Sequence, residues 1–172
     1  MKDGLCAIYE RRSVRKYKPE QITDGELELV LKAGLCAPSA MNRQPAIIVV
    51  LQNRDDISHL SKLNAAVMGT NSDPFYGAPT VLVVLAETGN ANAVKDGSLV
   101  MGNLMNAASA IGLGSCWINR AEEVFAGAEG KALLKKWGVE GDYTGIGHCI
   151  LGYADEQPEM KPVKGKRVYF VR

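Results

Sequence analysis

One long segment constrains the fold of this chain more than any other. From Ala93 to Ile111 the sequence has helical spacing, and its residues are apolar or small on nearly every side. Gly97, Gly102 and Ala107 are among the small ones. An ordinary surface helix has one polar face, so a helix of this kind belongs in the middle of a structure. We therefore expect other elements, including those of a second copy of the chain, to pack around it.

Four short aliphatic segments are typical of buried β-strands. They are Ala46–Leu51, Thr80–Leu85, Ser115–Ile118 and Gly145–Gly152. Helical patterns account for much of the rest: Gly4–Arg12, a second helix from Thr23 to Gly34, Asp55–Leu63 and Ala121–Trp137. This order predicts one α+β domain over residues 1–172, with four internal strands and about five helices. The pattern leaves open whether the strands run parallel or antiparallel.

The start of the second helix and the end of the chain carry further signals. Thr23 and Glu26 have the spacing of a capping box at a helix start. The chain ends in a strand-like tail, Val168-Tyr169-Phe170-Val171, which has no local partner in the sequence. We expect residues 160–172 to cross to a second subunit.

Composition excludes several classes of protein. The net charge of +1 favours neither nucleic acid nor a membrane surface as a partner. There is no signal-peptide pattern and no apolar run near the ~18–20 residues of a membrane span, so we expect a cytoplasmic protein. The cysteines are far apart at Cys6, Cys36, Cys116 and Cys149. This spacing predicts reduced core thiols and no structural metal.

The sequence lacks the familiar nucleotide-binding and catalytic motifs. Gly127–Ala132 has neither the spacing nor the hydroxyl of a P-loop, and Gly112-Leu113-Gly114 starts a dinucleotide motif that reaches Trp117 instead of its third glycine. His59 and His148 stand alone, and a structural role is the more common one for such histidines. No catalytic acid or base is predicted.

Basic residues crowd both ends of this neutral chain. Arg11-Arg12-Ser13-Val14-Arg15 offers three guanidinium groups and a hydroxyl, and arginine forks match phosphate oxygens. Lys161, Lys164, Lys166 and Arg167 follow near the other terminus with no acid among the last dozen residues. The two clusters favour a local anion site, with two solvated surface segments as the alternative.

Four segments in order resemble the nitroreductase family. Arg11–Arg15 is similar to the R-x-S-x-R arrangement at the end of its first helix, and Pro38–Pro45 to its P-S-x-x-N-x-Q-P loop. Gly112–Ile118 is similar to its glycine-rich turn and strand, and Lys164-Gly165-Lys166 to its C-terminal basic tripeptide. The resemblance spans nearly the whole chain.

The resemblance implies a nitroreductase-like α+β fold, with a central, mainly antiparallel sheet flanked by helices, in a swapped-tail homodimer. It implies FMN at the subunit interface, NADH or NADPH as donor, and ping-pong transfer to a nitroaromatic or quinone. The implied FMN-binding residues are Arg11, Arg12, Ser13, Arg15, Pro38, Ser39, Ala40, Asn42, Gln44, Asn64, Gly112, Leu113, Gly114, Lys164 and Lys166.

Several alternatives stay open at this point. Asn71 competes with Asn64 as the asparagine that contacts the flavin ring. A flavin-binding carrier or redox sensor without turnover is the alternative to an enzyme. The sequence identifies neither the physiological acceptor, nor the preferred nicotinamide, nor the pathway.

Overall fold

The computed structural model describes residues 3–172, which form six α-helices, one short 3-10 helix and four β-strands. In chain order the helices are α1 (Gly4–Glu10), α2 (Asp24–Leu35), α3 (Arg54–Met68), α4 (Ala93–Ala110), α5 (Ala121–Ala126) and α6 (Ala128–Lys136). The strands are β1 (Ala46–Leu51), β2 (Thr80–Glu87), β3 (Gly114–Ile118) and β4 (Tyr143–Gly152). The 3-10 helix spans Ala40–Asn42.

The four strands form one sheet in the order β1-β2-β4-β3, and every neighbouring pair is antiparallel. The expectation of a mainly antiparallel sheet is therefore confirmed. The register aligns Thr80 with Leu151, and Leu151 with Ser115, at one end of the sheet. We call this the Ser115 end. At the opposite end, the Glu87 end, Glu87 pairs with Tyr143 and Ala86 with Ala46.

Helices cover both faces of the sheet because β2 alternates its apolar side chains between them. Val81, Val83 and Leu85 pack with residues of α3, α5 and α6. Leu82, Val84 and Ala86 pack on the opposite face with residues of α2 and α4. As the sequence predicts, α4 is central: Met101, Leu104 and Ala108 on its inner face are fully buried.

Two helical predictions are wrong in extent. The segment 121–137 forms two helices, because the chain is extended at Gly127 and turns there. The second helix then packs so closely on the first that a Cβ on Gly130 would lie 2.1 Å from the Val124 carbonyl oxygen. Helix α3 continues five residues past Leu63, to Met68, and ends at Gly69 in the left-handed conformation.

The start of α2 agrees with its sequence signal, whereas the predicted apolar face of α1 is exposed. Thr23 and Glu26 form the capping box in both directions. In α1 the only buried residue is Ala7, whereas Leu5, Ile8 and Tyr9, predicted to form its apolar face, are exposed. Because α1 packs against α4, these three side chains form an exposed apolar surface beside the end of α4 in one protomer.

The C-terminal tail is exposed in the described protomer. Residues 159–172 are exposed and form no strand, so the strand-like character of Val168–Val171 is not realised within one chain. The cysteine prediction is half right: Cys116 and Cys149 are buried, but Cys6 and Cys36 are exposed. No helix in residues 3–172 has both the length and the apolar character needed to cross a membrane.

Candidate functional site

A small cleft at the Ser115 end of the sheet is lined by part of the first basic segment, without Ser13 and Arg15. Its volume is about 240 Å³. Arg11 and Arg12 enter it from the chain after α1, and Gly112, Leu113 and Gly114 from the turn between α4 and β3. The remaining lining residues are Glu10, Val14, Ser109, Ser115, Ala154, Glu156, Gln157 and Pro158. Two of the four predicted segments therefore meet here.

Backbone contacts fix the basic segment against β3. The Val14 N–H donates to the Ser115 carbonyl at 3.0 Å, and Ser13 pairs with Ser115 as an isolated parallel bridge. A Cβ on Gly114 would lie 3.0–3.1 Å from the Val14 side chain. Gly114 thus makes room for Val14, while its backbone still lines the cleft. At Gly112, with φ of +87°, nothing lies within 4 Å of an added Cβ.

The chain that follows β4 holds the same segment from the other side. A Glu156 carboxylate oxygen accepts a hydrogen bond from the backbone N–H of Arg15 at 2.5 Å. The Lys16 ammonium group forms a 2.8 Å ion pair with Asp155. The Lys18 N–H donates to the Tyr153 carbonyl at 2.9 Å. Residues 11–18 are therefore ordered by contacts distant in sequence.

The guanidinium groups of this segment differ in their partners. Nη1 of Arg12 donates to the carbonyls of Tyr9 and Arg11, at 2.8 and 2.6 Å, so Arg12 folds back on the end of α1. Within residues 3–172 no carboxylate forms an ion pair with Arg11 or Arg15. Their charges are available to an anion, although Glu10 and Glu156 also line the cleft.

The Pro38–Gln44 loop lies at the opposite end of the sheet. It leads into β1, and the Glu87 N–H donates to the Pro45 carbonyl at 3.1 Å. Both carboxylate oxygens of Asp96, in the first turn of α4, accept from the Ala40 N–H at 3.2 and 3.3 Å. The side chains of Asn42 and Gln44 are exposed and bonded to each other at 2.9 Å.

Helix α4 separates the loop from the cleft. Asp96 contacts the loop in the first turn of α4, whereas Ser109 lines the cleft in the last. At 1.5 Å per residue, these two positions are about 20 Å apart along the helix. One protomer therefore carries the two groups of predicted site residues at opposite ends of its central helix.

Comparison with known proteins agrees with the geometry. The family model described as "Nitroreductase family" matches residues 8–74 and 64–153. The chain belongs to the nitroreductase family. A candidate NADH dehydrogenase/NAD(P)H nitroreductase of Archaeoglobus fulgidus is 31% identical over 168 residues, with 93% of this chain and 90% of the relative covered. An NADH dehydrogenase of Thermus thermophilus is 33% identical over 152 residues, with 87% and 67% covered.

Solved structures confirm the nitroreductase-like fold. A crystal structure of a nitroreductase with bound FMN from Bacteroides fragilis covers 100% of both chains, with 27% identity and a TM-score of 0.91. A second nitroreductase with bound FMN, from Desulfitobacterium hafniense, matches with 27% identity, a TM-score of 0.87 and 99% of both chains covered. The sequence motifs therefore identified family and fold correctly.

The structure places Asn64, which is predicted to contact the flavin ring, in the core of the protomer. It is fully buried, and its amide donates to the Asn119 carbonyl at 2.7 Å. The same nitrogen lies 3.5 Å from Nδ1 of His148, itself fully buried. Burial lowers the pKa of His148 from its ordinary value of 6.5 to about 4, although the carbonyls of Ile118 and Asn119 oppose the shift. Both side chains belong to the core.

Asn71 is exposed, on a cavity of about 730 Å³ between α3 and the chain leading into β2. Arg54, Ser58 and Lys62 line the same cavity from α3. Of the two competing asparagines, Asn71 is therefore the one that a ligand can reach in this structure.

Three further predicted residues lie away from the cleft or face elsewhere. Lys164 and Lys166 are exposed in the tail and line neither cavity. Lys166 instead places its Nζ 4.6 Å from the centroid of the Tyr169 ring. Leu113 is buried in the core on the α4 side, so only its backbone is available at the cleft.

Glu156 and Asp96 were not recognised as site residues from the sequence, and Ser115 was recognised only as part of the segment Gly112–Ile118. Glu156 meets Arg15 across 141 positions of sequence, and Ser115 meets Ser13 across 102. Asp96 resembles any acidic residue in the first turn of a helix, where such residues are common. Only the Ser next to the glycine-rich turn carried a usable signal, since that turn was already singled out.

Proposed function

We propose that the protein is an FMN-dependent oxidoreductase that passes electrons from NADH or NADPH to a small nitroaromatic or quinone acceptor. The observation that carries the proposal is the cleft that Arg11 and the open glycine turn line together, in a chain whose structural neighbours are nitroreductases with bound FMN.

The residues present fit the phosphate of FMN. A dianionic phosphate needs several fixed cationic donors. Arg11 lines the cleft, and neither Arg11 nor the nearby Arg15 has a carboxylate ion pair within the described chain. Gly112, whose added Cβ would meet nothing within 4 Å, lines the same cleft as Arg11. Lys164 and Lys166 would add charge if the tail of a second subunit reached this cleft.

The cleft of one protomer is too small to be the whole site. Its 240 Å³ falls below the roughly 300–1,000 Å³ of small-molecule pockets. The exposed amides of Asn42 and Gln44, suited to the polar edge of the flavin ring, lie at the far end of α4. An FMN whose phosphate occupied the cleft would have to run the length of α4 to reach the loop of its own protomer.

A two-fold homodimer resolves this separation. If α4 packs antiparallel against its copy, the Pro38–Gln44 loop of one subunit meets the Arg11–Arg15 segment of the other, and two equivalent sites form. Val94 and Leu99 on the outer side of α4, with Leu5, Ile8 and Tyr9 of α1, supply an exposed apolar surface for this contact.

The protein supplies binding and electrostatics in this proposal. When bound, FMN would be the hydride acceptor and electron donor of the reaction. Arg11 and Arg15 would hold its phosphate, and the Asn42 and Gln44 amides would orient its ring edge. No side chain of the chain is assigned a proton-transfer step.

We expect donor and acceptor to use one binding place in succession. The connection between β2 and α4 is only Thr88–Asn92, so little chain is available to build a second place beside the first. Steady-state rates measured against NADH or NADPH and a quinone or nitroaromatic should give parallel double-reciprocal lines. Intersecting lines across several acceptors would indicate a ternary complex instead.

The test of the proposed function is anaerobic reduction of the purified protein. The absorbance spectrum should show flavin, heat should release FMN and not FAD on chromatography, and NADH or NADPH should bleach the visible band. Protein without flavin would overturn the proposal. Flavin that neither nicotinamide reduces would favour the carrier or redox sensor.

A further inference from the structure

The Pro38–Gln44 loop has an unusual backbone. Met41, Asn42 and Gln44 have φ values of 54°, 54° and 50°, which is the left-handed region, although none of them is glycine. A Cβ makes this region costly, so three such residues among four do not persist without support. The surrounding contacts must therefore hold the loop in this shape.

Most of the bonds that hold the loop lie inside it. The Gln44 N–H donates to the Ser39 hydroxyl at 2.9 Å, and the Asn42 and Arg43 N–H groups donate to the carbonyls of Ser39 and Ala40. In the described part of the chain, the bond from the Ala40 N–H to Asp96 is the one hydrogen bond from residues 39–44 to another element. Asp96 is thus the loop's anchor on α4.

Burying the Asp96 carboxylate at this position costs free energy. Only 5% of the residue is exposed, and its neighbours on the inner side of α4, including Ala93 and Val100, are buried apolar residues. A buried carboxylate costs free energy unless its bonds compensate, and a small apolar residue would pack here without that cost. The bond to the loop is what the carboxylate provides.

We propose that Asp96 is a positioning residue that holds the strained loop in the shape required for FMN binding by the partner subunit's arginines. The inference rests on the proposed function, because it assigns the loop to the flavin site. It also makes Ala40 a structural member of the loop: its N–H is occupied by Asp96 and is not offered to a ligand.

Three variants separate this role from general stability. Asp96→Ala removes the acceptor, whereas Asp96→Asn keeps one neutral oxygen of the same size. Asp56→Ala is the matched control, because Asp56 also lies in the first turn of a long helix but pairs with Lys136 at 2.6 Å on the opposite face of the sheet.

Two measurements are made on each full-length variant. Hydrogen exchange of the Ala40 amide, followed in flavin-free protein, reports the loop alone. We expect about 10-fold to 100-fold faster exchange in Asp96→Ala, since bonds to charged groups are of that strength. The FMN dissociation constant should rise by about 10-fold or more in Asp96→Ala, and less in Asp96→Asn. Asp56→Ala should change neither.

The outcomes are distinguishable. Unchanged exchange in Asp96→Ala overturns the anchor, and faster exchange with unchanged FMN affinity overturns the positioning role. An equal loss in Asp56→Ala means general destabilisation and also overturns it. If the wild-type protein binds no FMN, the proposed function fails, while the exchange measurement still decides whether Asp96 holds the loop.

Discussion

Replacing Leu99 with glutamate should turn a flavin-bound dimer into a flavin-free monomer. Leu99 is 47% exposed on α4, whose inner face is fully buried in the protomer. In the proposed antiparallel contact a carboxylate there would be buried without a partner, at a cost of several kcal/mol per ion. A two-fold dimer carries the substitution in both subunits, so this cost arises twice. We expect the dimer dissociation constant to rise by more than about 100-fold.

Sedimentation and bound-flavin content measure both consequences. Val67→Glu is the control, since Val67 is 44% exposed on α3, on the opposite face of the sheet. It should remain a flavin-bound dimer. A Leu99→Glu protein that stays dimeric with full flavin content would rule out the α4 interface.

Deleting residues 161–172 should also cause loss of the dimer and of the flavin if the tail crosses to the partner. A stable flavin-loaded monomer would contradict that crossing.

The second large effect is a loss of stability in mild acid, caused by His148. Its pKa is lowered by burial to about 4 in the folded protein, against 6.5 when unfolded. The unfolded chain therefore binds more protons between these values, and stability falls as pH falls. From about pH 7 to pH 5 this single group should cost about 2 kcal/mol of unfolding free energy.

Denaturant unfolding at several pH values checks the effect. His148→Gln should flatten the dependence over this window, whatever its stability at neutral pH. The carboxyls with lowered pKa, Glu26, Asp56 and Asp155, lose their stabilisation only below their ordinary values of 4.5 or less. If His148→Gln also fails to fold, the ring signal of wild-type His148 should still titrate near 4 by NMR, and titration near 6.5 would contradict the assignment.

The sequence predicted the strands and the central helix well because their signals are local. β2 and β4 are runs of aliphatic residues buried on both faces, and α4 lacks a polar face. The break at Gly127 was missed because the apolar spacing continues across it from Val124 to Leu133. The reason for the break, close packing of Gly130 on Val124, is not visible in the sequence.

The separate segments of the candidate site were predicted from the sequence, but their arrangement in space was not. The motifs identified the arginines, the glycine turn and the amide loop, but sequence order cannot say that α4 holds them about 20 Å apart. The burial of Asn64 was not foreseen, because a polar residue within a helix gives no sign of its partner. Here the partner is the Asn119 carbonyl, supplied by the fold from another element.

The central claim is that each FMN site is shared by two subunits, and mixed dimers test it most directly. One chain carries Arg11→Ala with Arg15→Ala, and the other carries Ser39→Ala with Asn42→Ala. Each arginine should contribute about 1.5–3 kcal/mol to FMN binding through charged hydrogen bonds, so either homodimer should lose tight binding at both sites.

A mixed dimer purified by two different tags would combine the intact arginines of one chain with the intact loop of the other. The account predicts one tightly bound FMN per mixed dimer, with the second site carrying both defects. A mixed dimer that binds no FMN tightly, although wild-type protein binds two, would show that each site lies within one chain and would contradict the account.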